Sequence, residues 1–205
     1  MKLYLSSYQL GNETDKLTEM VGRDKRAAVI LNAIDALDDA GRQERLDREM
    51  AALQDLDFQP EEIDLRRYFD APGALEAKLC NFGLLWIRGG NSFVLRKAMA
   101  RSGFDGMVRG LLDQGIVYAG YSAASCVAGP TLRGVERCDD PYVVPRGYPA
   151  ETVWDGLGLI DYAVAPHYKS DHPESTMIDD VVKSYVKNKV PYKTLRDGEV
   201  IIVND

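Results

Sequence analysis

Residues 116–126 read Ile-Val-Tyr-Ala-Gly-Tyr-Ser-Ala-Ala-Ser-Cys, and this stretch indicates how the chain folds. A short apolar strand enters a Gly-x-Ser-x-Ala turn, and small residues then begin a helix. A sharp turn of this kind holds Ser122 in a strained backbone conformation with its hydroxyl above the sheet, and Gly120 and Ala124 must be small for strand and helix to approach. Ser122 is therefore a candidate nucleophile, and the alternative is an ordinary helix start that Ser122 caps.

Short apolar runs alternate with helical periods on both sides of this stretch. The runs that predict buried strands are Leu3 to Leu5, Ala27 to Leu31, Leu84 to Ile87, Ile116 to Ala119 and Tyr162 to Ala165. The predicted helices cover residues 42–56, 73–80, 91–101, 104–114 and 173–187. Strands without polar alternation, separated by helices, indicate a doubly wound, mostly parallel α/β sheet covered on both faces.

Length and composition favour one domain over residues 1–205. A chain of 205 residues that is 45% hydrophobic can bury a substantial core, and it contains no repeat or Gly/Ser linker. Residues 130–160, rich in Pro, Gly and Arg, fit no clean period and predict an irregular insert between two strands. Loops of this kind often border active sites.

Charge and cysteine content exclude several classes of function. The net charge of -7 offers no basic surface for nucleic acid or an anionic membrane, and no 18-residue apolar run is present. The apolar start of the chain is too short for a signal peptide, so we expect a cytoplasmic protein. Cys80, Cys126 and Cys138 lack disulfide-framework or zinc-finger spacing and are expected to be reduced thiols.

A second glycine signal follows the strand at Leu84 to Ile87, where the chain continues Arg88-Gly89-Gly90-Asn91-Ser92-Phe93. A strand that ends in Gly-Gly before a helix leaves backbone N–H groups free at the carboxyl edge of the sheet, where parallel α/β proteins bind ligands. Gly90 and Ala123 are thus candidate oxyanion-hole donors. The alternative is a tight turn capped by Asn91.

The chain has only two histidines, His167 and His172, so the search for a catalytic base is short. His167 follows the strand at Tyr162 to Ala165, and this places it on the same sheet edge as Ser122. His172 lies further on in a polar loop and is expected to be structural. A zinc site built from His167, Asp171 and His172 is disfavoured, because the spacing matches no helical ligand pair. We expect no metal and no other cofactor.

A carboxylate must orient the base histidine and stabilise its charged form. Asp197 lies in Arg196-Asp197-Gly198, between two apolar strand-like runs. Asp-Gly is also a common hairpin turn, so a purely structural role is a real alternative. The rival acids, which the sequence leaves open, are Asp171, Glu174 and Glu199.

Four blocks of the chain, in order, resemble the dipeptidase E (aspartyl dipeptidase) family of serine peptidases, whose fold is like that of class I glutamine amidotransferases and flavodoxins. The glycine block at 88–93 resembles the family's Gly-Gly-Asn-Thr-Phe segment, and Gly-Tyr-Ser-Ala-Ala at 120–124 resembles its Gly-x-Ser-Ala-Gly elbow. Ala-Pro-His-Tyr at 165–168 resembles its Asn-Pro-His-Phe block. Arg-Asp-Gly at 196–198 lies where the family carries its acidic triad member. Arg88 and Ala124 each replace a glycine.

The resemblance implies a hydrolase, a serine-type dipeptidase with the catalytic triad Ser122, His167 and Asp197. It further implies cleavage of dipeptides with an N-terminal aspartate, without cofactor, with Arg88 and Asn91 as candidate substrate-binding residues. The partner would be a small peptide, and a homodimer is left open. Two alternatives remain. One is a non-catalytic small-molecule binding or regulatory protein on the same fold, and the other is a hydrolase of other amides such as cyanophycin-like peptides.

Overall fold

The computed structural model describes residues 1–204 and is built on a six-stranded sheet. The strand order is β3-β2-β4-β5-β1-β8, and every neighbouring pair is parallel except β1 with β8. The six strands are β1 (Lys2–Ser6), β2 (Arg26–Ile30), β3 (Gln59–Glu62), β4 (Leu84–Ile87), β5 (Val117–Tyr121) and β8 (Val200–Asn204). Because the four inner strands are fully or mostly buried, they carry apolar residues at successive positions.

Helices cover both faces of this sheet. They are α1 (Thr14–Val21), α2 (Asp39–Gln54), α3 (Pro72–Leu79), α4 (Ser92–Ser102), α5 (Phe104–Asp113), α6 (Ala123–Ala128) and α7 (Ser175–Asn188). Alternate residues of each strand face opposite layers, so that Leu3 and Leu5 join the apolar cluster containing α3 to α6, whereas Tyr4 joins the cluster containing α1 and α2. The doubly wound α/β architecture predicted from the sequence is therefore confirmed.

The strand predicted at Tyr162 to Ala165 forms, but its expected place in the main sheet is wrong. The observed β6 (Ala163–Ala165) pairs in parallel with β7 (Tyr192–Thr194) in a separate two-stranded sheet. The edge strands of the main sheet are β3 and β8. Strand β6 instead packs against α6 and α7. Hydrophobic pattern alone predicts a buried strand and not its neighbours.

Two elements of the fold, β3 and α1, were missing from the sequence prediction, whereas the two strand-like runs that flank Asp197 form β7 (Tyr192–Thr194) and β8. The edge strand β3 reads Gln-Pro-Glu-Glu, and a polar strand with proline at a sheet edge has no apolar signature. Helix α1 is only eight residues long and buries two side chains, Leu17 and Met20. Strand β8 pairs antiparallel with β1, while β7 lies in the other sheet, so Asp197-Gly198 does not join two paired strands in a hairpin.

The predicted irregular insert at 130–160 is confirmed. It contains one short 3₁₀ turn (Val135–Arg137) and an isolated bridge between Thr131 and Asp155. Its Asp139 carboxylate accepts a hydrogen bond from the Ser92 backbone at 2.8 Å, so the insert covers the beginning of α4. Across residues 1–204, the helices are too short or too polar for any of them to traverse a lipid bilayer.

Candidate active site

Ser122 lies at the turn between β5 and α6 in a conformation that few side chains adopt. Its φ is 52° and its ψ is -107°, and the residue is half-buried. A Cβ on Gly120 would lie 2.1 Å from the Ile87 carbonyl oxygen and 2.6 Å from Cβ of Ala124, so larger residues do not fit between strand and helix. Ala124 itself is helical and is not among the residues with positive φ, which is why a methyl group is tolerated there.

The glycine loop after β4 packs directly against this turn. A Cβ on Gly89 would lie 2.9 Å from Cβ of Ser122 and equally close to the Tyr121 ring. Gly90 has a φ of 140°, and a Cβ there would lie 2.8 Å from the Ala33 carbonyl oxygen. Within residues 1–204, the backbone N–H groups of Gly90 and Ala123 donate to no acceptor. Both candidate oxyanion donors are thus free beside Ser122.

The side chain of Asn91 is already hydrogen-bonded within the protein. Its side-chain oxygen accepts hydrogen bonds from the backbone of Phe93 and Val94, both at 2.9 Å, and so caps α4. Its amide nitrogen donates to the Asp140 carbonyl oxygen at 2.9 Å. Asn91 could bind substrate only if these hydrogen bonds broke. Its observed contacts are those of a helix cap, the alternative role considered from the sequence.

His167 and Asp197 form a hydrogen-bonded pair. Nδ1 of His167 lies 2.7 Å from Oδ1 of Asp197. An ionised Asp197 fixes the ring proton on Nδ1 and leaves the Nε2 lone pair free to accept a proton. The sequence placed His167 at the carboxyl end of a strand, and it does follow β6, with a φ of 59°.

Ser7 holds this pair in place. Its hydroxyl donates to Oδ1 of Asp197 at 2.8 Å and accepts the backbone N–H of His167, also at 2.8 Å. The Asp197 backbone N–H in turn donates to the Ser170 hydroxyl at 2.8 Å. Ser7 is fully buried at the carboxyl end of β1, so both members of the pair are fixed to the main sheet.

Burial lowers the pKa of His167 below its usual value of 6.5, because desolvation disfavours the imidazolium, and the nearby His172 acts in the same direction. The Asp197 hydrogen bond and the charges of Asp197 and Glu174 oppose that shift without reversing it. His167 is only 1% exposed. The ring is therefore neutral near pH 7, the state that a general base requires.

Among the rival acids, only Glu174 also approaches His167. Its Oε2 lies 3.9 Å from Nε2, on the side of the ring opposite Asp197. Glu199 accepts the Arg196 backbone N–H at 2.7 Å, and Asp171 is exposed. The carboxylate at Nδ1, which is the position that orients a base, is Asp197.

His172, which the sequence left in a structural loop, stacks on His167. The ring centroids are 3.8 Å apart and the planes differ by 9°. His167, His172 and Glu174 have potential metal-binding atoms within 4.8 Å of one another, so Glu174 takes the place that the sequence considered for Asp171. Parallel stacked rings direct their in-plane lone pairs side by side and not toward one point, which does not suit a tetrahedral zinc ion.

Ser122 and His167 each contact the same three-residue segment, Ser6 to Tyr8. The Ser122 N–H donates to the Ser6 carbonyl oxygen at 3.2 Å, and Tyr8 makes edge contacts with the Tyr121 and His167 rings at 6.2 and 6.0 Å. Within residues 1–204, no hydrogen bond joins the Ser122 hydroxyl to the His167 ring. Catalytic hydrogen bonds are often long before substrate binds.

A cleft of about 380 Å³ opens beside Tyr8 and Tyr121. Its other lining residues are Gln9, Leu10, Gly11, Asn12, Arg45, Arg48, Glu49, Ala52, Arg88 and Gly198. The charged lining residues are three arginines and one carboxylate, that of Glu49. The buried Glu49 accepts hydrogen bonds from Trp86 at 2.8 Å and from Tyr121 at 2.5 Å. The cleft therefore suits a small ligand that carries negative charge.

Sequence reasoning missed Ser7 and Glu49 as members of this region, and it weighed His172 but expected it to be structural. Ser6 and Ser7 directly follow a buried strand, and polar residues at that position share an edge with Ser122, which was a usable signal. Glu49 is one of many charged residues on α2, so only packing distinguishes it. The three cysteines are free thiols, and Cys126 is buried.

Several known peptidases are similar to this chain in sequence. The profile of peptidase family S51 matches residues 8–205. A peptidase E of Streptomyces coelicolor is 30% identical over 141 residues, which are 66% of this chain and 54% of that protein. An uncharacterized peptidase of Listeria innocua is 26% identical over 131 residues, 64% of this chain and 60% of its own length. The chain thus spans somewhat more than half the length of these curated relatives.

Solved structures show the same fold. The crystal structure of a putative peptidase E protein from Listeria monocytogenes superposes with a TM-score of 0.74 at 21% identity, covering 100% of this chain and 98% of the other. A peptidase from an acI-B1 actinobacterium gives a TM-score of 0.73 at 14% identity, covering 99% and 83%. The resemblance drawn from the four sequence blocks is confirmed, and the chain belongs to peptidase family S51.

Proposed function

We propose that the protein is a serine peptidase in which Ser122 is the nucleophile, His167 the general base and Asp197 the residue that orients the base. The observations that carry this proposal are the 2.7 Å contact between His167 and Asp197 and the positive φ of Ser122. Strained backbone of this kind occurs where a nucleophile must be presented, and family membership supports the same chemistry.

The reaction follows from the atoms available. Nε2 of His167 takes the Ser122 proton as the hydroxyl oxygen attacks the peptide carbonyl, and the new oxyanion accepts the free N–H groups of Gly90 and Ala123. His167 then gives its proton to the leaving amine as the C–N bond breaks. The same ring then takes a proton from the water that attacks the acyl-enzyme, and it returns this proton to the Ser122 oxygen as the ester C–O bond breaks.

The substrate that best fits the cleft is a small peptide with an acidic residue, and we propose dipeptides with an N-terminal aspartate. Arg48 is 74% exposed, and its ion pair with Glu44 is a surface pair that contributes little, so its guanidinium can exchange that partner for a substrate carboxylate. Nη1 of Arg45 donates a hydrogen bond to the Gly41 carbonyl oxygen at 2.9 Å. The relatives named peptidase E support a peptide substrate, and the resemblance to the aspartyl dipeptidase family supports the N-terminal aspartate.

The remaining expectations about partners and location stay predictions. A negative net charge of -7 supports a peptide substrate over nucleic acid. The cytoplasmic location and a homodimer also stay predictions from the sequence.

The proposal is tested by comparing the wild-type protein with Ser122→Ala on Asp-Leu and on Asn-Leu, whose first side chain is uncharged. We expect hydrolysis of Asp-Leu in preference to Asn-Leu, and a loss on the order of 10⁴-fold or more in kcat for Ser122→Ala at unchanged thermal stability. A fluorophosphonate should label the wild type at Ser122. Hydrolysis retained by Ser122→Ala contradicts the nucleophile, whereas dipeptide binding without turnover or labelling favours the non-catalytic alternative.

A further inference from the structure

Arg88 stands between β4 and the glycine loop, where the resembling family carries a glycine. We propose that Arg88 is a positioning residue that holds the Gly89–Gly90 peptide so that the Gly90 N–H faces the reacting carbonyl. This inference rests on the proposed function, since it concerns how the oxyanion hole is kept in shape. It assigns Arg88 to catalytic geometry and not to substrate recognition.

The contact that carries the inference is a hydrogen bond from Arg88 to its neighbour's carbonyl group. Nη1 of Arg88 donates to the Gly89 carbonyl oxygen at 2.7 Å. That carbonyl and the Gly90 N–H belong to one planar peptide unit, which is trans, so they point in opposite directions. Holding the carbonyl toward the guanidinium therefore directs the Gly90 N–H away from it.

A glycine pair needs such a restraint. Gly90 has a φ of 140°, which side chains rarely adopt, and a Cβ on either glycine would collide with Ala33 or Ser122. Both positions must therefore be glycine, the residue whose backbone torsions are least restricted. The peptide between two glycines can flip at little cost. A flipped peptide would present a carbonyl oxygen to the oxyanion and repel it.

The guanidinium is itself held by two further contacts, with Glu49 and Tyr121. Its Nε lies 3.3 Å from Oε1 of Glu49, and its carbon lies 5.9 Å from the centre of the Tyr121 ring. Glu49 is fixed by the Trp86 and Tyr121 hydrogen bonds, and the Arg88 side chain is only 18% exposed. Contacts therefore run from α2 through Glu49 and Arg88 to the loop beside Ser122.

A substrate-reading role makes different demands on Arg88. A guanidinium that binds a substrate carboxylate needs an exposed face, as Arg48 has at 74%. Arg88 is largely covered and already faces a carbonyl oxygen and a carboxylate. The two roles separate in kinetics, because a positioning residue acts on every acyl or phosphonyl transfer, whereas a substrate-reading residue acts only on acidic substrates.

The test uses an uncharged alkyl fluorophosphonate, which reacts with the serine through the same oxyanion site as fluoride leaves phosphorus. Arg88→Met, which keeps the length of the side chain, should slow phosphonylation about 10- to 100-fold and lower kcat on Asp-Leu with a smaller change in KM, since removing an oxyanion donor outright costs about 10²–10³-fold. Arg101→Met, an exposed arginine near the other end of α4 that pairs with Asp70, serves as the matched control and should react at the wild-type rate.

The outcomes separate this inference from the proposed function. Wild-type phosphonylation rates in Arg88→Met, together with a raised KM for Asp-Leu alone, overturn the positioning role. A wild-type protein that neither reacts nor hydrolyses overturns the proposed function and this inference with it. If Arg88→Met has a lowered melting temperature, Arg88→Lys provides the second variant, and it should show an intermediate phosphonylation rate because an ammonium can donate to the Gly89 carbonyl without spanning to Glu49.

Discussion

The two halves of the candidate site are held by different physical means. Around His167 and Asp197, hydrogen bonds with the hydroxyls of Ser7 and Ser170 fix two residues that come from separate segments of the chain. Around Ser122 and the glycine loop, the shape is set by backbone torsions and by the absence of side chains, and the key N–H groups are left free. Activity should therefore be lost in the histidine half when a hydrogen-bonding group is removed. In the serine half it should be lost when a substitution adds atoms.

The largest effect expected in the histidine half comes from Asp197→Asn. An amide can hold the ring in the wrong tautomer and cannot stabilise the imidazolium, so kcat should fall on the order of 10³- to 10⁴-fold while the fold is kept. Steady-state kinetics on Asp-Leu and a thermal melt measure the two quantities. Glu174→Gln is the matched control, since that acid lies near Nε2 and should cost less than 10-fold. The reverse ranking would assign the orienting role to Glu174.

A smaller effect is expected in the serine half from Gly89→Ala. The new methyl group would meet Cβ of Ser122 and the Tyr121 ring at 2.9 Å, and overpacking of this kind costs about 1–3 kcal/mol. Because the strain is released by moving Ser122, we expect kcat to fall at least about 10-fold.

The matched control is Gly106→Ala, on the helix α5. A Cβ there meets nothing within 4 Å and removes a helix-destabilising glycine, so activity should be unchanged and stability slightly higher. Comparable kinetics for the two variants would show that addition of atoms beside Ser122 is not what limits this half of the site.

The smallest effect concerns pH and the stacked histidine. Because burial and His172 hold the pKa of His167 below 6.5, kcat/KM should rise with pH through an inflection below that value and then stay level. His172→Phe keeps a stacked ring and removes the electrostatic effect of His172 that lowers the pKa of His167, so the inflection should move upward while the plateau stays the same. An inflection that stays in place would mean that desolvation alone sets the shift, and one above 6.5 would contradict His167 as the base.

Buried residues with local signals were predictable from the sequence. The strands β1, β2, β4 and β5 are continuous apolar runs, and the two glycine-containing turns stand out because only small residues permit such close approach. Since carboxyl ends of parallel strands share one edge, the sequence could also bring Ser122 and the glycine loop together. Those inferences needed only periodicity and backbone sterics.

Contacts between distant segments were decided by tertiary structure. Nothing local to Asp197 distinguishes it from Asp171, Glu174 or Glu199, because the identity of the acid at Nδ1 depends on where β6, β7 and β8 bring their ends. The strand β6 reads like a member of the main sheet yet pairs with β7. Ser7 and Arg88 acquire their contacts only when β1 and α2 are packed beside the site. Hydrophobic pattern determines which residues are buried, whereas partner choice among polar groups depends on distances that only the folded chain sets.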